Sequence, residues 1–154
     1  MSSLIVYGDG FSFSVHEPEG WVGDIDKAAA YHANIIFYPE GGDPEKVALV
    51  QVALFHKQDE KTADDLAYDV KSYAQQYPDL QKEDFRADHK DYRVFSKLAF
   101  VKKEFYQYIA YVNAGEKFSE GFSVGMNIAK RPASDEEMKA YRDIIASLWM
   151  MGLK

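Results

Sequence analysis

Tyr92-Arg93-Val94-Phe95-Ser96-Lys97-Leu98-Ala99-Phe100-Val101, then Lys102-Lys103, then Glu104-Phe105-Tyr106-Gln107-Tyr108-Ile109-Ala110-Tyr111-Val112-Asn113 decides the fold. Two runs rich in aromatic and β-branched residues flank a two-residue polar break. That pattern predicts antiparallel strands over 92–101 and 104–113 joined by a tight turn at Lys102-Lys103. Between Phe105 and Val112 both alternating faces are apolar or aromatic, so this strand is expected near the centre of a sheet covered on both sides.

Working outward, Gly115-Glu116-Lys117 makes the next turn and Phe118 to Ala129 the last strand, ended by Pro132. Upstream, Glu83 to His89 reads as a further strand. Thr62 to Tyr77 is the clearest helix. Thr62 is its N-cap candidate, and Asp59, Glu60, Asp64 and Asp65 complement its N-terminal dipole. Ala63, Leu66, Ala67, Val70, Tyr73, Ala74 and Tyr77 form its apolar face, and Pro78 stops it. Val47 to Phe55 and Ala33 to Tyr38 are strands separated by a loop at Pro39–Pro44. Asp24 caps a short helix through Ala30. Leu4–Tyr7 and Phe11–Val15 form an opening hairpin around Gly8-Asp9-Gly10. At the other end, Ser134 with Glu137 gives a capping box. The final helix buries Met138, Tyr141, Ile144, Ile145 and Leu148. Adjacent hairpins, with helices between early strands and at the end, indicate an α+β fold, expected as a three-layer α/β/α sandwich with a central antiparallel sheet. No linker or repeat divides residues 1–154, so a single domain is expected.

The bulk numbers narrow the function. The chain has 154 residues with 47% hydrophobic and 28% charged, and its 11 Tyr and 10 Phe suit half-buried pleated surfaces. Its formal net charge of -7 opposes phosphate backbones, so nucleic acid is not an expected partner. Cysteine is absent, which removes disulfides, thiolate metal sites and cysteine nucleophiles. No stretch reaches the ~20 apolar residues of a membrane helix. Met1–Tyr7 lacks the basic and apolar regions of a leader, so the chain reads as cytoplasmic or as starting after a removed signal.

Gly121-Phe122-Ser123-Val124-Gly125 matches the G-x-S-x-G pattern of a hydrolase nucleophile elbow. That chemistry needs a strand-to-helix turn and a histidine later in the chain. Here the pattern runs on into Met126–Ala129 as strand, and all four histidines (His16, His32, His56, His89) precede it. Ser123 is therefore read as a strand residue, and no catalytic residue is assigned. No two histidines stand at i, i+4, and Glu40, Asp43 and Glu45 lack calcium-loop spacing, so neither metal nor cofactor is expected. Arg86, Lys90, Arg93, Lys97, Lys102 and Lys103, interleaved with acids, read as cross-strand charge pairs. The aromatic set is the remaining candidate. Tyr92, Tyr106, Tyr108 and Tyr111 combine an apolar ring with a polar tip and are the candidate partner-binding residues.

The segment Gly10-Phe11-Ser12-Phe13-Ser14-Val15-His16-Glu17-Pro18-Glu19-Gly20-Trp21 resembles the F-x-F-x-x-P-x-G-W start of the Mog1/PsbP/DcrB-like superfamily, with one extra residue at Glu17. The ending Ile144-Ile145-Ala146-Ser147-Leu148-Trp149 is also similar. The resemblance implies an α/β/α sandwich and a mostly non-enzymatic binding or accessory role, with no catalytic motif to carry over. Many bacterial members are exported, which tilts the expectation toward a periplasmic protein. The leading expectation is a non-catalytic binding or accessory protein engaging a protein or peptide. A small-molecule or hydrophobic-ligand carrier or sensor is the alternative, followed by a hydrolase.

Overall fold

The computed structural model describes residues 2–8, 10–57 and 62–153, the side chains of 62, 152 and 153 aside. Asp9, Asp59, Glu60 and the capping side chain of Thr62 lie outside the described residues. Among the described residues, ten strands and two α-helices follow one another as β1 Ser2–Gly8, β2 Phe11–Glu17, β3 Trp21–Asp24, β4 Ile35–Pro39, β5 Leu49–His56, α1 Thr62–Gln76, β6 Gln81–Glu83, β7 Arg93–Val101, β8 Phe105–Asn113, β9 Glu120–Ala129, α2 Asp135–Ser147 and β10 Trp149–Leu153. The fold is α+β, and every strand pairing is antiparallel.

The strands form two sheets. The larger has seven strands in the order β3-β4-β5-β9-β8-β7-β6, and the smaller has three in the order β1-β2-β10. The β7–β8 hairpin turns at Lys102-Lys103, where Lys103 takes a left-handed φ of 69°. β8 is interior, between β7 and β9, although β9 rather than β8 is the middle strand of the seven.

Alternation sorts β8 onto two faces. Tyr106, Tyr108, Ala110 and Val112 join the main core with Phe122, Val124 and Met126 of β9, Phe13 and Val15 of β2, and Tyr141, Ile144 and Ile145 of α2. On the opposite face Ile109 meets Ala99 of β7 beneath Leu66 and Val70 of α1. One face of the large sheet thus packs on α2 and the small sheet, and the other on α1. The Tyr141 hydroxyl, fully buried, donates to Val124 O at 2.7 Å and ties α2 to β9.

Several sequence expectations are corrected. Asp24 ends a strand rather than starting an α-helix. Its Oδ1 accepts from Lys27 N and its Oδ2 from the Tyr38 hydroxyl, and only a 3₁₀ turn, Ala28–Tyr31, follows. The strand expected over Glu83–His89 shrinks to Gln81–Glu83, because Phe85 turns into the core and Ser96 Oγ donates to its carbonyl. The apolar face of α1 is narrower than its spacing implied: Ala63 and Ala67 are exposed. The final helix stops at Ser147. Leu148 is extended, and the chain continues as β10 alongside β2. The opening hairpin therefore belongs to a second sheet that the sequence reading did not contain.

The capping box at α2 is present, with Ser134 Oγ accepting from Glu137 N and Glu137 Oε1 accepting from Ser134 N. Glu137 also forms a two-pronged pair with Arg131 at 2.7 and 2.9 Å. That pair, first of all, holds the Glu137 carboxyl at about 2, below its ordinary 4.5. The folded value is lower than the unfolded one. The associated stability is therefore present above pH 4.5 and is lost as pH falls toward 2. Arg131 is 56% exposed, so solvent screening reduces the gain to about 1 kcal/mol. Glu137→Gln should cost about that much in urea unfolding at neutral pH, and the difference from wild type should vanish near pH 2.

Candidate functional site

The small sheet presents one face to the core and one to solvent. Along β1, Val6 is buried and Leu4 packs on the core, so Ile5 and Tyr7 point outward. Along β2, Phe13 and Val15 go inward, and Ser12 and Ser14 face out. The registers set Ile5 opposite Ser14 and Ser14 opposite Trp149, with Tyr7 opposite Ser12. The result is a serine-floored trough between two apolar walls, Ile5 and Tyr7 on one side and Trp149 on the other. Met151 is also exposed on β10, next to the register shift between Met150 and Gly152.

A stack of three rings supports the β10 wall. His89 lies on Tyr92 at 4.3 Å and 11°, and Tyr92 lies on Trp149 at 5.4 Å and 14°. The stack is also a hydrogen-bonded clamp on β10. His89 Nε2 donates to Leu148 O at 2.7 Å, and Met150 N donates to the Tyr92 hydroxyl at 3.1 Å. His89 Nδ1 accepts from Asp91 N and Tyr92 N, both at 3.0 Å, so its ring proton sits on Nε2.

The four tyrosines do not share one surface. Only Tyr92 belongs to this face. Tyr106 is buried and stacks on Phe100 at 5.1 Å. Tyr108 is buried against Phe85 and Tyr141, and its hydroxyl accepts from Ala133 N at 2.9 Å. Tyr111 lies on the α1 side, where its hydroxyl donates to Asp69 Oδ2 at 3.0 Å. Burial, then the neighbouring Asp69, pushes the Tyr111 phenol well up. Burial also raises the Asp69 carboxyl, against the hydrogen bond from Tyr111. The sequence reading missed Trp149, Met151, Ile5 and Tyr7.

Ser123 sits inside β9 opposite Ala53 and Tyr111. The G-x-S-x-G pattern thus makes no strand-to-helix turn. Gly125 leaves room for the Gln107 amide, which a Cβ there would meet at 2.9 Å. Among the described residues no histidine hydrogen-bonds to Ser123. His56 pairs with Glu120 at 3.3 Å. Of the interleaved charges, Lys97 bridges to Asp84 across the β6–β7 edge, and Arg86 pairs locally with Asp88 at 3.0 Å. Asp43 Oδ1 accepts from Glu45 N in a tight turn. Among the described residues no group of three or more His, Asp or Glu is placed to hold a metal ion, and no helix is long and apolar enough to cross a membrane.

A cavity of about 740 Å³ lies elsewhere, at one end of the large sheet. Lys57, Arg93, Asp91, Glu116 and Asn113 line it, and Lys57 Nζ donates to Gly115 O at 2.9 Å. Its walls are charged in both signs, unlike the apolar enclosure a hydrophobic ligand needs. No protein-family model matches the chain, and no curated protein matches it.

Proposed function

We propose that this chain is a non-catalytic binding or accessory protein whose partner is another protein, docked on the outer face of the three-stranded sheet. The carrying observation is where the large apolar side chains are left exposed. Among the described residues these are Ile5, Tyr7, Ile25, Tyr68, Trp149 and Met151, and four of the six stand on β1 and β10. Scattered exposed apolar residues are ordinary, but a clustered set with a Trp and a Tyr is the usual composition of an interface centre. The ring stack behind Trp149 pre-orders that wall and reduces the entropy lost on docking.

We further propose that the fold is the α/β/α sandwich of the Mog1/PsbP/DcrB-like superfamily. Helices on opposite faces of the large sheet and the Phe11–Trp21 segment support that reading. It agrees with a binding role.

The test is capture of a partner from the native host by wild-type and Trp149→Ser protein. Trp149 is 49% exposed, so the variant should keep its fold. A hot-spot tryptophan contributes at least about 2 kcal/mol, so affinity should fall roughly 30-fold. Tyr68→Ser, on α1, should bind as wild type. Equal retention by wild type and Trp149→Ser would remove this face from the interaction.

A further inference from the structure

Three strand ends and one turn enclose the cavity of about 740 Å³ on the large sheet: the end of β5, the start of β7, the end of β8 and the residues from Ala114 to Ser119. Lys57 N donates to Ser119 O at 3.0 Å, which ties the end of β5 to the residue before β9. Arg93 stands opposite Asn113 in the β7–β8 register. The space falls within the roughly 300–1,000 Å³ of small-molecule sites.

Four charged side chains line it in balance, Lys57 and Arg93 against Asp91 and Glu116. No ion pair joins any two of them. His56, also on the wall, is engaged by Glu120 at 3.3 Å. Lys57 is half-buried, yet among the described residues its ammonium meets only neutral acceptors, Asn113 Oδ1 at 3.3 Å and Gly115 O at 2.9 Å. A partly desolvated ammonium without a counter-ion is stabilised by an anion brought to it. The two acceptors also hold that ammonium in place. Gly115 can present its carbonyl there because a φ of 112° is open to glycine. The Arg93 guanidinium is steadied over the Phe95 ring at 5.6 Å. Phe118, packed against the core, adds an apolar stretch of wall.

A ligand of one charge sign would be opposed by half of this lining. A bare anion meets Asp91 and Glu116, and a bare cation meets Lys57 and Arg93. A molecule with opposite charges at its two ends satisfies all four. We propose that the cavity binds a short zwitterionic peptide of about two or three residues, a length that suits its volume. The carboxylate lies on Lys57 and Arg93, the ammonium on Asp91 and Glu116, and an apolar side chain against Phe118. None of Ile5, Tyr7, Trp149 and Met151 lines this cavity, so the site stands apart from the face offered to a protein partner.

Calorimetric titration of the chain with the dipeptide leucyl-phenylalanine tests it. At the efficiency of drug-sized ligands, its roughly 20 non-hydrogen atoms give an expected dissociation constant on the order of 10–100 µM. The N-acetyl dipeptide lacks the ammonium and the dipeptide amide lacks the carboxylate. Each should bind at least about tenfold more weakly. Arg93→Gln and Glu116→Gln, at exposed positions, should keep the fold and each weaken the dipeptide about tenfold. Lys57→Met should weaken it further, and the two exposed variants carry the test should that one not fold. In wild type, the amide resonances of Asn113 to Ser119 should shift on binding while those of β1 stay in place. Neither heat nor shift at about 5 mM dipeptide, far above that range, would overturn the proposal. So would an N-acetyl or amide form that binds as tightly as the dipeptide, or displacement of the dipeptide by an equal concentration of inorganic phosphate, the mark of a simple anion site. Trp149→Ser should bind the dipeptide as wild type does, which separates failure of this site from failure of the partner-binding face.

Discussion

Replacing Phe13 with alanine should lower the unfolding free energy by about 3–5 kcal/mol, the range for a fully buried phenylalanine. Phe13 has 0% exposure and lies between Val6 of β1 and Met150 of β10 in the small sheet. Its ring meets the edge of Phe122 on β9 at 5.1 Å and 76°. Phe122 is itself fully buried, so this contact is the seam between the two sheets. Truncation would leave a cavity bordered by both sheets, and strand backbones held by ladders on either side cannot collapse into it. At a urea slope of about 2 kcal/mol/M the midpoint should drop by roughly 2 M with the slope unchanged. Phe13→Leu keeps most of the volume and should cost about 1–1.5 kcal/mol. A loss below about 1 kcal/mol for the alanine variant, far under the range for such truncations, would show that the sheets do not share one core.

The seam also marks where sequence reasoning stopped. Local pairing was legible. The β7–β8 hairpin announces itself through alternation and a lysine turn, and α2 through its capping box. β10 was not legible, because Ile144, Ile145 and Leu148 continue a helical spacing straight into Trp149. Its strand partner, β2, lies near the opposite end of the chain. Leu148 leaves the helix because the backbone there is claimed by His89 and then by the β2 ladder, and neither competitor has a local signature. The aromatic site failed for a related reason. Residue parity already separates Tyr106 and Tyr108 from Tyr111, so a single tyrosine face was never available on β8. What parity cannot show is which apolar residues find cover. Trp149 and Met151 had no assigned place in the sequence reading, and they stand exposed because the small sheet is covered on one face only. Ser123 was legible as strand, since the apolar pattern runs through it to Ala129.

Replacing His89 with alanine should destabilise the fold by about 2–3 kcal/mol, far more than a typical half-exposed surface residue. From sequence His89 is one of four scattered histidines. In the structure it closes three hydrogen bonds at once: two from Asp91 N and Tyr92 N into Nδ1, and one from Nε2 to Leu148 O. Leu148 is 1% exposed, so its carbonyl has little water to turn to when the donor is removed. The ring also backs Tyr92, whose hydroxyl holds Met150 N. Tyr92→Phe deletes only that last contact and should cost about 1 kcal/mol. The two changes act on one clamp, so the double variant should depart from additivity by about 0.5–1.5 kcal/mol. Amide exchange should quicken at Asp91, Tyr92 and Met150 and stay unchanged in β8. Trp149 fluorescence should shift as its stacking support loosens, before global unfolding. A His89→Ala variant within 0.5 kcal/mol of wild type, the level of an inert surface change, would mean that pairing with β2 alone holds β10. Trp149 would then stand on a strand with one ladder and no brace, too mobile to offer the pre-ordered wall on which the binding proposal depends.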